Sequence, residues 1–417
     1  MDVALTNDQE NAKDFIKEWF FNTDDKVFVL SGYAGTGKTF LIDYVVRNVL
    51  RLKIGEEAVF VSPTGKAASN LARHGTVAGT VHGLIYIRDE EEFDVDENGE
   101  IICDRELRFI KREKIDEKIK LIVIDEASMI NREMLNDLLS FNVKCLFSGD
   151  GAQLPPVNGV CPLLENPHYT MREIVRQAVD NPIVQLATMA RKGQKIPYGN
   201  YEDKVCVIGK NGLLSRDRKR IFTQADQVIC GRNATRNALN EEIRAYYGFD
   251  VRSKLPTDGE KLLCTLNDWE KPLDEEKRFY LVNGMIGRAY NVQDGLDDLF
   301  TMEFVADYFS GRVKVPVDAG IFEKGKYTHF YGDRAVMLAN GMVAHEGNYP
   351  VLHKFRAVSD EPICRFEFAY AITCHKAQGS EFDFVVVFDE SWVFGEDAGR
   401  WLYTAITRAR EKLLIIR

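Results

Sequence analysis

The sequence is poor in several features that commonly identify a protein class. Its eight cysteines lie at least ten positions apart, so no CxxC pair or Cys/His cluster indicates a zinc or iron–sulfur site. Scattered cysteines suit a reducing compartment, where we expect them to be small buried hydrophobic residues. The longest apolar runs, such as Leu121–Ile124 and Phe384–Phe388, fall far short of the ~18 residues that a membrane span needs. Because the chain also starts with polar and acidic residues, unlike a secretory signal peptide, we expect a cytoplasmic protein without a membrane segment.

Positive charge is also scarce. The 417 residues contain 54 Lys and Arg against 64 Asp and Glu, which gives a net charge of −10. This balance excludes a chain that is coated with basic surface for nucleic acid. The excess of acidic residues is local, however, because residues 88–100 hold eight acidic residues against one basic residue. The charge balance therefore does not exclude a basic groove elsewhere in the protein. Hydrophobic residues make up 45% of the chain, and its length predicts two or three domains with cores of their own.

Short apolar runs alternate with helical patterns in the first third of the chain. The predicted strands are 27–31, 58–62, 121–125 and 144–148, with helical patterns such as 40–51 and 132–140 between them. The runs are apolar throughout, which is typical of strands that are buried on both faces of a parallel sheet. This order predicts a doubly wound α/β lobe that binds its ligands at the carboxyl ends of the strands.

The rest of the chain predicts a second lobe and two insertions. Strand-like runs at 227–230, 366–372, 384–388 and 412–416 indicate another α/β lobe, whereas 256–355, with short strands and many glycines, indicates a small β-barrel. Strand-like residues on both sides of Asn98-Gly99 predict a hairpin. The predicted domains are a first lobe from 1–82 and 119–170, its hairpin insertion 83–118, a second lobe from 171–255 and 356–417, and its insertion 256–355.

Residues 32–39 follow a GxxxxGK[ST] pattern between a predicted strand and a predicted helix. The glycines Gly32, Gly35 and Gly37, together with Thr36, would let backbone N–H groups close around phosphates at the start of the helix. Lys38 would reach the β- and γ-phosphates, and the Thr39 hydroxyl would hold Mg²⁺. The pattern therefore predicts ATP and Mg²⁺ as cofactors.

Polar groups also follow the next two strands of this lobe. The run Leu121–Ile124 ends in Asp125 and Glu126, and carboxylates are costly to bury unless they have a function or a partner. We predict that Asp125 supports Mg²⁺ and that Glu126 accepts the proton of the attacking water. Gln153 could hydrogen-bond the γ-phosphate, although its segment, Gly-Asp-Gly-Ala-Gln-Leu-Pro-Pro, is also an ordinary turn former.

Seven short blocks, taken together, resemble superfamily 1 helicases of the 5'-to-3' class, the RecD-like and phage Dda-like enzymes. The blocks are GYAGTGKT from residue 32, SPTGKAA from 62, GTVHGL from 79, IDEAS from 124, GDGAQLPPV from 149, AITCHKAQGSEFD from 371 and YTAITRAR from 403. They fall in the order of the family, which is more specific than any one block. The resemblance implies two RecA-like lobes, a hairpin pin in the first and an SH3-like barrel in the second. It also implies an ATP-driven motor that moves 5'-to-3' on single-stranded DNA and unwinds duplex DNA.

The resemblance also implies nucleotide contacts that spacing alone does not indicate. Arg408, which we place on a helix, would be an arginine finger of the second lobe, and Arg176 would also reach the γ-phosphate. Two such arginines would make closure of the lobes depend on ATP. Gln9 would hydrogen-bond adenine, although it also completes a good capping box from Thr6. Glu381 would contact the ribose, and Gly379 in the same block would also bind the nucleotide.

A nucleic-acid interface is the other implication of the resemblance. The implied contacts are Pro63, Thr64, Lys66, Thr80 and His82 on the first lobe, Thr373, His375 and Lys376 on the second, and Phe93 in the pin. Hydroxyls, neutral histidines and backbone amides suit phosphate oxygens and give no base specificity. Phe93 could stack on a base, whereas the acidic pin around it could exclude the displaced strand or contact no DNA. Without the resemblance, both histidines would be taken as structural.

Two other classes of function stay open at this point. The chain could be an RNA helicase, or a nucleotide-gated binding or loading module that recruits partners through 256–355. A small-molecule kinase would need neither the block at 373–381 nor Arg408. The resemblance implies a monomer that works in a bacterial or phage-infected cytoplasm. It would act on single strands and duplex junctions, and a replication or single-strand-binding protein could be its partner. The pathway, whether replication, recombination or repair, is not indicated.

Overall fold

The computed structural model describes residues 5–65, 67–68, 71, 78–88, 109–155, 162–175, 180–213, 215–253, 255–274, 279–294, 299–307, 309–323, 335–337, 343–345 and 363–417. The chain forms two compact units. The first contains Met1–Ile85, Glu113–Tyr247 and Tyr370–Arg417, and the second contains Tyr86–Arg112 and Gly248–Ala369. Within the described helices, none has the length and apolar character needed to cross a bilayer.

The strands and helices are numbered along the chain. The strands are β1 Val27–Gly32, β2 Ala58–Ser62, β3 Ala78–Thr80, β4 Tyr86–Arg88, β5 Phe109–Lys111, β6 Leu121–Ile124, β7 Lys144–Gly149, β8 Tyr169–Met171, β9 Gly199–Tyr201, β10 Val205–Ile208, β11 Gln227–Cys230, β12 Lys261–Cys264, β13 Asp268–Pro272, β14 Tyr280–Leu281, β15 Ile286–Asp294, β16 Leu299–Ala306, β17 Val313–Asp318, β18 Ala335–Met337, β19 Val343–His345, β20 Phe366–Phe368, β21 Ala371–Thr373, β22 Phe382–Phe388 and β23 Ala409–Ile416. The α-helices are α1 Asn7–Asn22, α2 Lys38–Tyr44, α3 Val81–Ile85, α4 Arg132–Ser140, α5 Pro182–Arg191, α6 Ser215–Gln224, α7 Asn233–Tyr247, α8 Gly320–Glu323, α9 Cys374–Ala377 and α10 Ala398–Ile406.

The first unit contains a parallel sheet in the order β3-β2-β6-β7-β1-β8. Its central strands are almost completely buried, as their apolar sequences predict. Because β6, β7 and β1 are neighbours, the loops at their carboxyl ends come together at one edge. The core below contains Ile16 and Trp19 of α1, Phe28 and Leu30 of β1, and Leu41 of α2. The predicted doubly wound lobe is therefore confirmed.

A second sheet of the first unit has the order β21-β11-β22-β23-β10-β9. Its pairs are parallel except for β9 with β10. The helices α5 and α10 pack against each other beside this sheet. The sequence predicts one strand over 366–372, and this prediction is wrong in detail. Phe366–Phe368 pairs with β12 of the second unit, and the chain then enters the parallel sheet at Ala371.

The second unit is built from antiparallel strands. Five of them form a sheet in the order β17-β16-β15-β12-β20. The rings of Phe304 and Phe366 pack in its core with centroids 4.8 Å apart. Strands β4 and β5 pair antiparallel at the base of the predicted hairpin, while its Asn-Gly turn lies outside the described residues. The SH3-like closure of the barrel stays a prediction.

Candidate active site

The loop between β1 and α2 turns sharply, as its glycines predict. β1 ends at Gly32, and α2 begins at Lys38 after Gly37, whose φ of 75° lies in the left-handed region. Gly35 also has a positive φ, of 80°. Glycine adopts these angles without the steric cost that a Cβ would bring. The backbone can therefore fold over the start of the helix.

Two side chains hold this loop from within. Thr36 is fully buried, and its hydroxyl donates to the Tyr33 carbonyl oxygen at 2.8 Å. The Lys38 Nζ donates to the carbonyl oxygens of Gly32, at 2.7 Å, and Tyr33, at 3.3 Å. An ammonium group forms stronger hydrogen bonds with ionised phosphate than with neutral carbonyls. Lys38 therefore lies in a position from which it can transfer to a phosphate group.

Asp125 and Glu126, the two acidic residues after β6, both have raised pKa values, and Glu126 also has an unusual backbone conformation. Glu126 has a φ of 54° and a ψ of 42°, a left-handed conformation that is uncommon for a residue with a Cβ. Burial raises the pKa of Glu126 to about 7, with Arg408 opposing the shift and Asp125 adding to it. Burial also raises the pKa of Asp125, and the nearby Lys38 opposes that shift. A carboxyl group whose pKa lies near neutrality is suited to accept a proton.

Residues from both parallel sheets line a cavity of about 480 Å³. Ten of the predicted site residues line it, namely Gly35, Gly37, Lys38, Thr39, Asp125, Glu126, Gln153, Gly379, Glu381 and Arg408. Gly32 lies directly beneath the Lys38 side chain, where an added Cβ would approach its methylenes to 2.9 Å. The structure therefore brings together groups that are up to several hundred residues apart in the sequence.

Arg408 is one of the polar residues that the loops of the second sheet contribute to the cavity. The predicted helical position of Arg408 is wrong, because α10 ends at Ile406 and pairing with β22 begins at Ala409. Arg408 therefore lies in the turn between them, 4% exposed. Its guanidinium donates to the carbonyl oxygens of Thr404, at 3.1 Å, and Ser380, at 3.2 Å. These bonds hold its positive charge at the cavity that Glu126 also lines.

The predicted nucleic-acid residues of the first lobe follow the carboxyl ends of β2 and β3. Thr64, directly after Pro63, accepts a hydrogen bond from the Ala67 N–H at 3.2 Å. The Thr80 hydroxyl accepts from the Gly83 N–H at 3.0 Å. His82, on α3, is partly buried, and burial lowers its pKa. The lowered pKa favours the neutral imidazole of His82.

The corresponding residues of the second lobe follow β21. Thr373 ends the strand and precedes α9, which carries His375 and Lys376. Burial lowers the pKa of His375. Gly379 lies so close to the first lobe that an added Cβ would be 3.6 Å from the Thr64 hydroxyl oxygen. The loop after α9 is therefore a neighbour of Thr64, whereas Lys66, Phe93 and Arg176 lie outside the described residues.

Two family models match separate parts of the chain. A family model for an AAA domain matches residues 5–210, and one for a UvrD-like helicase C-terminal domain matches 368–416. The ATP-dependent DNA helicase Pif1 of Campylobacter jejuni is 26% identical over 420 residues, covering 92% of this chain and 87% of that protein. The ATP-dependent RecD2 DNA helicase of Deinococcus radiodurans is 23% identical over 411 residues, covering 93% of this chain and 46% of that protein. The chain is similar to the RecD- and Pif1-like superfamily 1 helicases.

Solved structures of Pif1 helicases share the fold of this RecD/Pif1-like chain. Bacteroides Pif1 in complex with ADP-AlF3 and ssDNA has a TM-score of 0.51 at 18% identity, covering 99% of this chain and 92% of that one. A structure of two coordinating Pif1 helicases at forked dsDNA has a TM-score of 0.52 at 18% identity, with the same coverage. The chain spans only 46% of Deinococcus RecD2 and 38% of an uncharacterized Methanocaldococcus jannaschii relative, which is 26% identical over 467 residues and matches 98% of this chain.

Sequence reasoning missed a tyrosine that joins the two lobes of this RecD/Pif1-like chain. The Tyr403 hydroxyl, on α10, donates to the Asp150 carboxylate after β7 and accepts from the Ala34 N–H at 2.8 Å. Burial raises the pKa of Tyr403, and the Asp150 charge adds to the shift, so the hydroxyl stays protonated. Tyr403 opens one of the seven blocks, which was the available signal. An aromatic residue on an apolar helix ordinarily packs in the hydrophobic core, so the sequence does not indicate that Tyr403 links the two lobes.

Other contacts support the same junction. The Leu154 N–H donates to the Thr404 hydroxyl at 2.9 Å, and the Leu154 carbonyl accepts from Gln378 at 2.7 Å. Next to Leu154, the buried Gln153 Oε1 accepts no hydrogen bond from the residues that the structure describes. The Arg191 guanidinium lies 3.4 Å from the ring centroid of Tyr33 in the phosphate loop. Side chains of α5 and α10 are thereby tied to the loops after β1 and β7.

Gln9 has the structural role that its sequence pattern predicts. Its side chain accepts from the Thr6 N–H at 3.0 Å, while the Thr6 hydroxyl accepts from the Gln9 N–H at 3.2 Å, a complete capping box. The Gln9 amide also donates to the Thr36 carbonyl oxygen at 3.1 Å. Gln9 is thus placed against the phosphate loop, and its contact with adenine stays a prediction.

Proposed function

We propose that this chain is an ATP-dependent motor that moves 5'-to-3' along single-stranded DNA and unwinds duplex DNA ahead of it. The observation that carries the proposal is the cavity where the phosphate loop and Glu126 of one sheet meet Arg408 of the other. A nucleotide held there would contact both lobes at once. The relatives in Campylobacter and Deinococcus are named ATP-dependent DNA helicases, which supports the same activity here.

In this proposal, hydrolysis uses groups that are already in place. Lys38 would leave the loop carbonyls for the phosphates, and Glu126 would take a proton from the attacking water. Arg408 would stabilise the negative charge that develops on the transferred phosphoryl group. The Thr39 hydroxyl and the Asp125 carboxylate line the same cavity and offer the oxygen ligands that Mg²⁺ prefers. Mg²⁺ bound there would neutralise phosphate charge.

Movement along DNA would follow from the contacts between the two lobes. Thr64 of the first lobe and Thr373 of the second both lie at carboxyl ends of strands, the edge that also holds the nucleotide residues. If the lobes close around ATP and open after hydrolysis, the two sets would grip the strand alternately. Such contacts would read the sugar–phosphate backbone rather than the sequence. We further propose that a monomer is sufficient and works in the cytoplasm.

Strand displacement on matched partial duplexes tests this function. With Mg²⁺ and ATP, the chain should unwind a DNA duplex with a 5' single-stranded tail and leave the 3'-tailed duplex intact. Lys38→Ala is the matched inactive control, because it removes the phosphate-binding ammonium group. Unwinding only from the 3' tail would contradict the polarity. ATP turnover without displacement of either duplex would contradict the motor and favour an RNA substrate or a loading module.

A further inference from the structure

The segment between β22 and α10 presents an aromatic side chain to solvent. Residues Ser391–Asp397 form two short 3₁₀ turns separated by a kink at Gly395. In the first turn Trp392 is 65% exposed and the adjacent Val393 is 38% exposed. Trp401, by comparison, is completely buried on the following helix. Single exposed apolar residues are common, so exposure alone assigns no role to Trp392. Its surroundings carry the argument further.

A buried carboxylate fixes one side of this segment. Glu390 is 4% exposed and accepts hydrogen bonds from the backbone N–H groups of Gly231 and Arg232, both at 2.9 Å. It also accepts from the Arg232 side chain and the Thr235 hydroxyl, both at 2.7 Å. The guanidinium of Arg232 is thereby held 5.5 Å from the centroid of the Trp392 ring. Trp392 thus lies beside a positive charge whose position is fixed.

An aromatic stack fixes the other side. The Phe394 ring lies 5.6 Å from Trp401, nearly parallel to it, and 5.8 Å from the ring of His375. His375 belongs to the block that we predict to contact the DNA backbone. The ring of Trp392 is therefore two residues from a side chain that touches the predicted interface. The residues on both sides of Trp392 are thus fixed, so its backbone loses little conformational entropy when a ligand covers the ring.

The charges of the segment are compatible with a polyanion. Residues 389–397 contain four carboxylates, and three of them have ion-pair partners: Asp389 with Arg417, Glu390 with Arg232, and Asp397 with Arg400. Glu396, the fourth, forms no ion pair with the residues that the structure describes. Half of the Arg232 side chain is exposed, at 51%, so its charge can also act on a passing phosphate.

We propose that Trp392, beside Arg232, is a stacking platform for a nucleobase of the single strand bound along the second lobe. The platform rests on the proposed function and adds a base contact to the backbone contacts that we propose for the two lobes. Every base has a π-face, so stacking is tolerant of sequence, as a motor requires. The planar guanidinium next to the ring suits the same ligand, because arginine both stacks on bases and pairs with phosphates. A protein partner would not need this proximity to His375.

Equilibrium binding to a fluorescent oligo(dT) strand and to a matched strand with abasic sites tests the platform. Trp392→Ala should weaken binding to oligo(dT) by about 5- to 150-fold, the loss expected for one stacked base. The loss should largely disappear on the abasic strand, and Trp392→Phe should recover much of the affinity. Tyr198→Ala is the control, since Tyr198 is equally exposed, at 64%, and precedes β9 at the far edge of the same sheet.

The outcomes separate the platform from the proposed function. Wild-type chain that binds neither strand would contradict the proposed function itself. Wild-type binding with an unchanged affinity of Trp392→Ala would overturn the platform alone. An equal loss on both strands would also overturn it, because the effect would then come from the backbone contacts. ATPase activity without DNA should be the same in Trp392→Ala and wild type, which shows that the variant is folded.

Discussion

At the scale of single residues, the candidate site is held in position by hydrogen bonds to its own backbone. Lys38 is bound to carbonyl oxygens of its own loop, and Arg408 to carbonyl oxygens of its own lobe. Glu126 lines the same cavity as these two charges and has a left-handed conformation. Because neighbouring groups already fix these side chains, substituting them should change the chemistry more than the fold.

Glu126→Gln should bind ATP with nearly unchanged affinity and hydrolyse it at least about 100-fold more slowly, because the amide cannot accept the proton. Single-turnover hydrolysis, measured beside equilibrium binding of a fluorescent ATP analogue, separates the two effects. Normal hydrolysis in this variant would remove Glu126 as the base. Weakened binding would instead assign it to the nucleotide contacts.

Arg408→Ala should reduce the rate of hydrolysis by about 10³-fold while nucleotide affinity changes little, because the lost charge acts mainly on the transition state. Arg410→Ala is the matched control from the same block. Arg410 forms an exposed pair with Asp383 at 3.1 Å, as expected for a surface charge, so its loss should leave turnover intact. If Arg410→Ala slowed turnover and Arg408→Ala did not, the finger would have to be reassigned.

At the scale of secondary-structure elements, the sequence predicts features that depend on neighbouring residues and misses those that depend on pairing with distant strands. The strands β1, β2, β6 and β7 were predictable because each is one uninterrupted apolar run. The single strand over 366–372 was wrong, because a run of strand-formers does not reveal that the chain changes sheets at Ala369. Arg408 was misplaced for a similar reason, since pairing with β22 decides where α10 ends.

The link between Tyr403 and Asp150 could not be predicted, because 253 residues separate its partners. Tyr403→Phe should lower DNA-stimulated ATPase towards the basal rate, because α10 would lose its hydrogen bond to the phosphate loop. It should also lower the free energy of unfolding by about 1–3 kcal/mol, the cost of a buried carboxylate that loses a donor. Tyr201→Phe is the control, as its hydroxyl donates to the exposed Pro197 carbonyl. Equal DNA stimulation in both variants would contradict the coupling.

At the scale of the whole molecule, the chain is an acidic protein that we expect to bind a polyanion. Its net charge of −10 leaves little room for a broad basic surface. The predicted contacts are mainly hydroxyls and neutral histidines placed at the carboxyl edges of two sheets. The positions of these edges follow from the fold, but the domain boundaries and the contributions of Lys66, Phe93 and Arg176 stay predictions.

Affinity for single-stranded DNA should therefore depend only weakly on salt. With about three phosphates neutralised, log K should fall with log[salt] with a slope of about −2. Titrations of oligo(dT) at several salt concentrations measure the slope directly. A slope steeper than about −5 would reveal a cationic surface that the charge balance does not indicate.

The left-handed backbone conformation of Glu126 lowers the thermal stability of the fold at a position that the proposed hydrolysis requires. A residue with a Cβ is destabilised by about 1–2 kcal/mol in this conformation, and asparagine tolerates it better than glutamate does. Glu126→Asn should therefore melt at a higher temperature than the wild type and turn over no ATP. A screen for thermal stability alone would select this inactive variant. Engineering a more thermostable protein must therefore leave Glu126 unchanged.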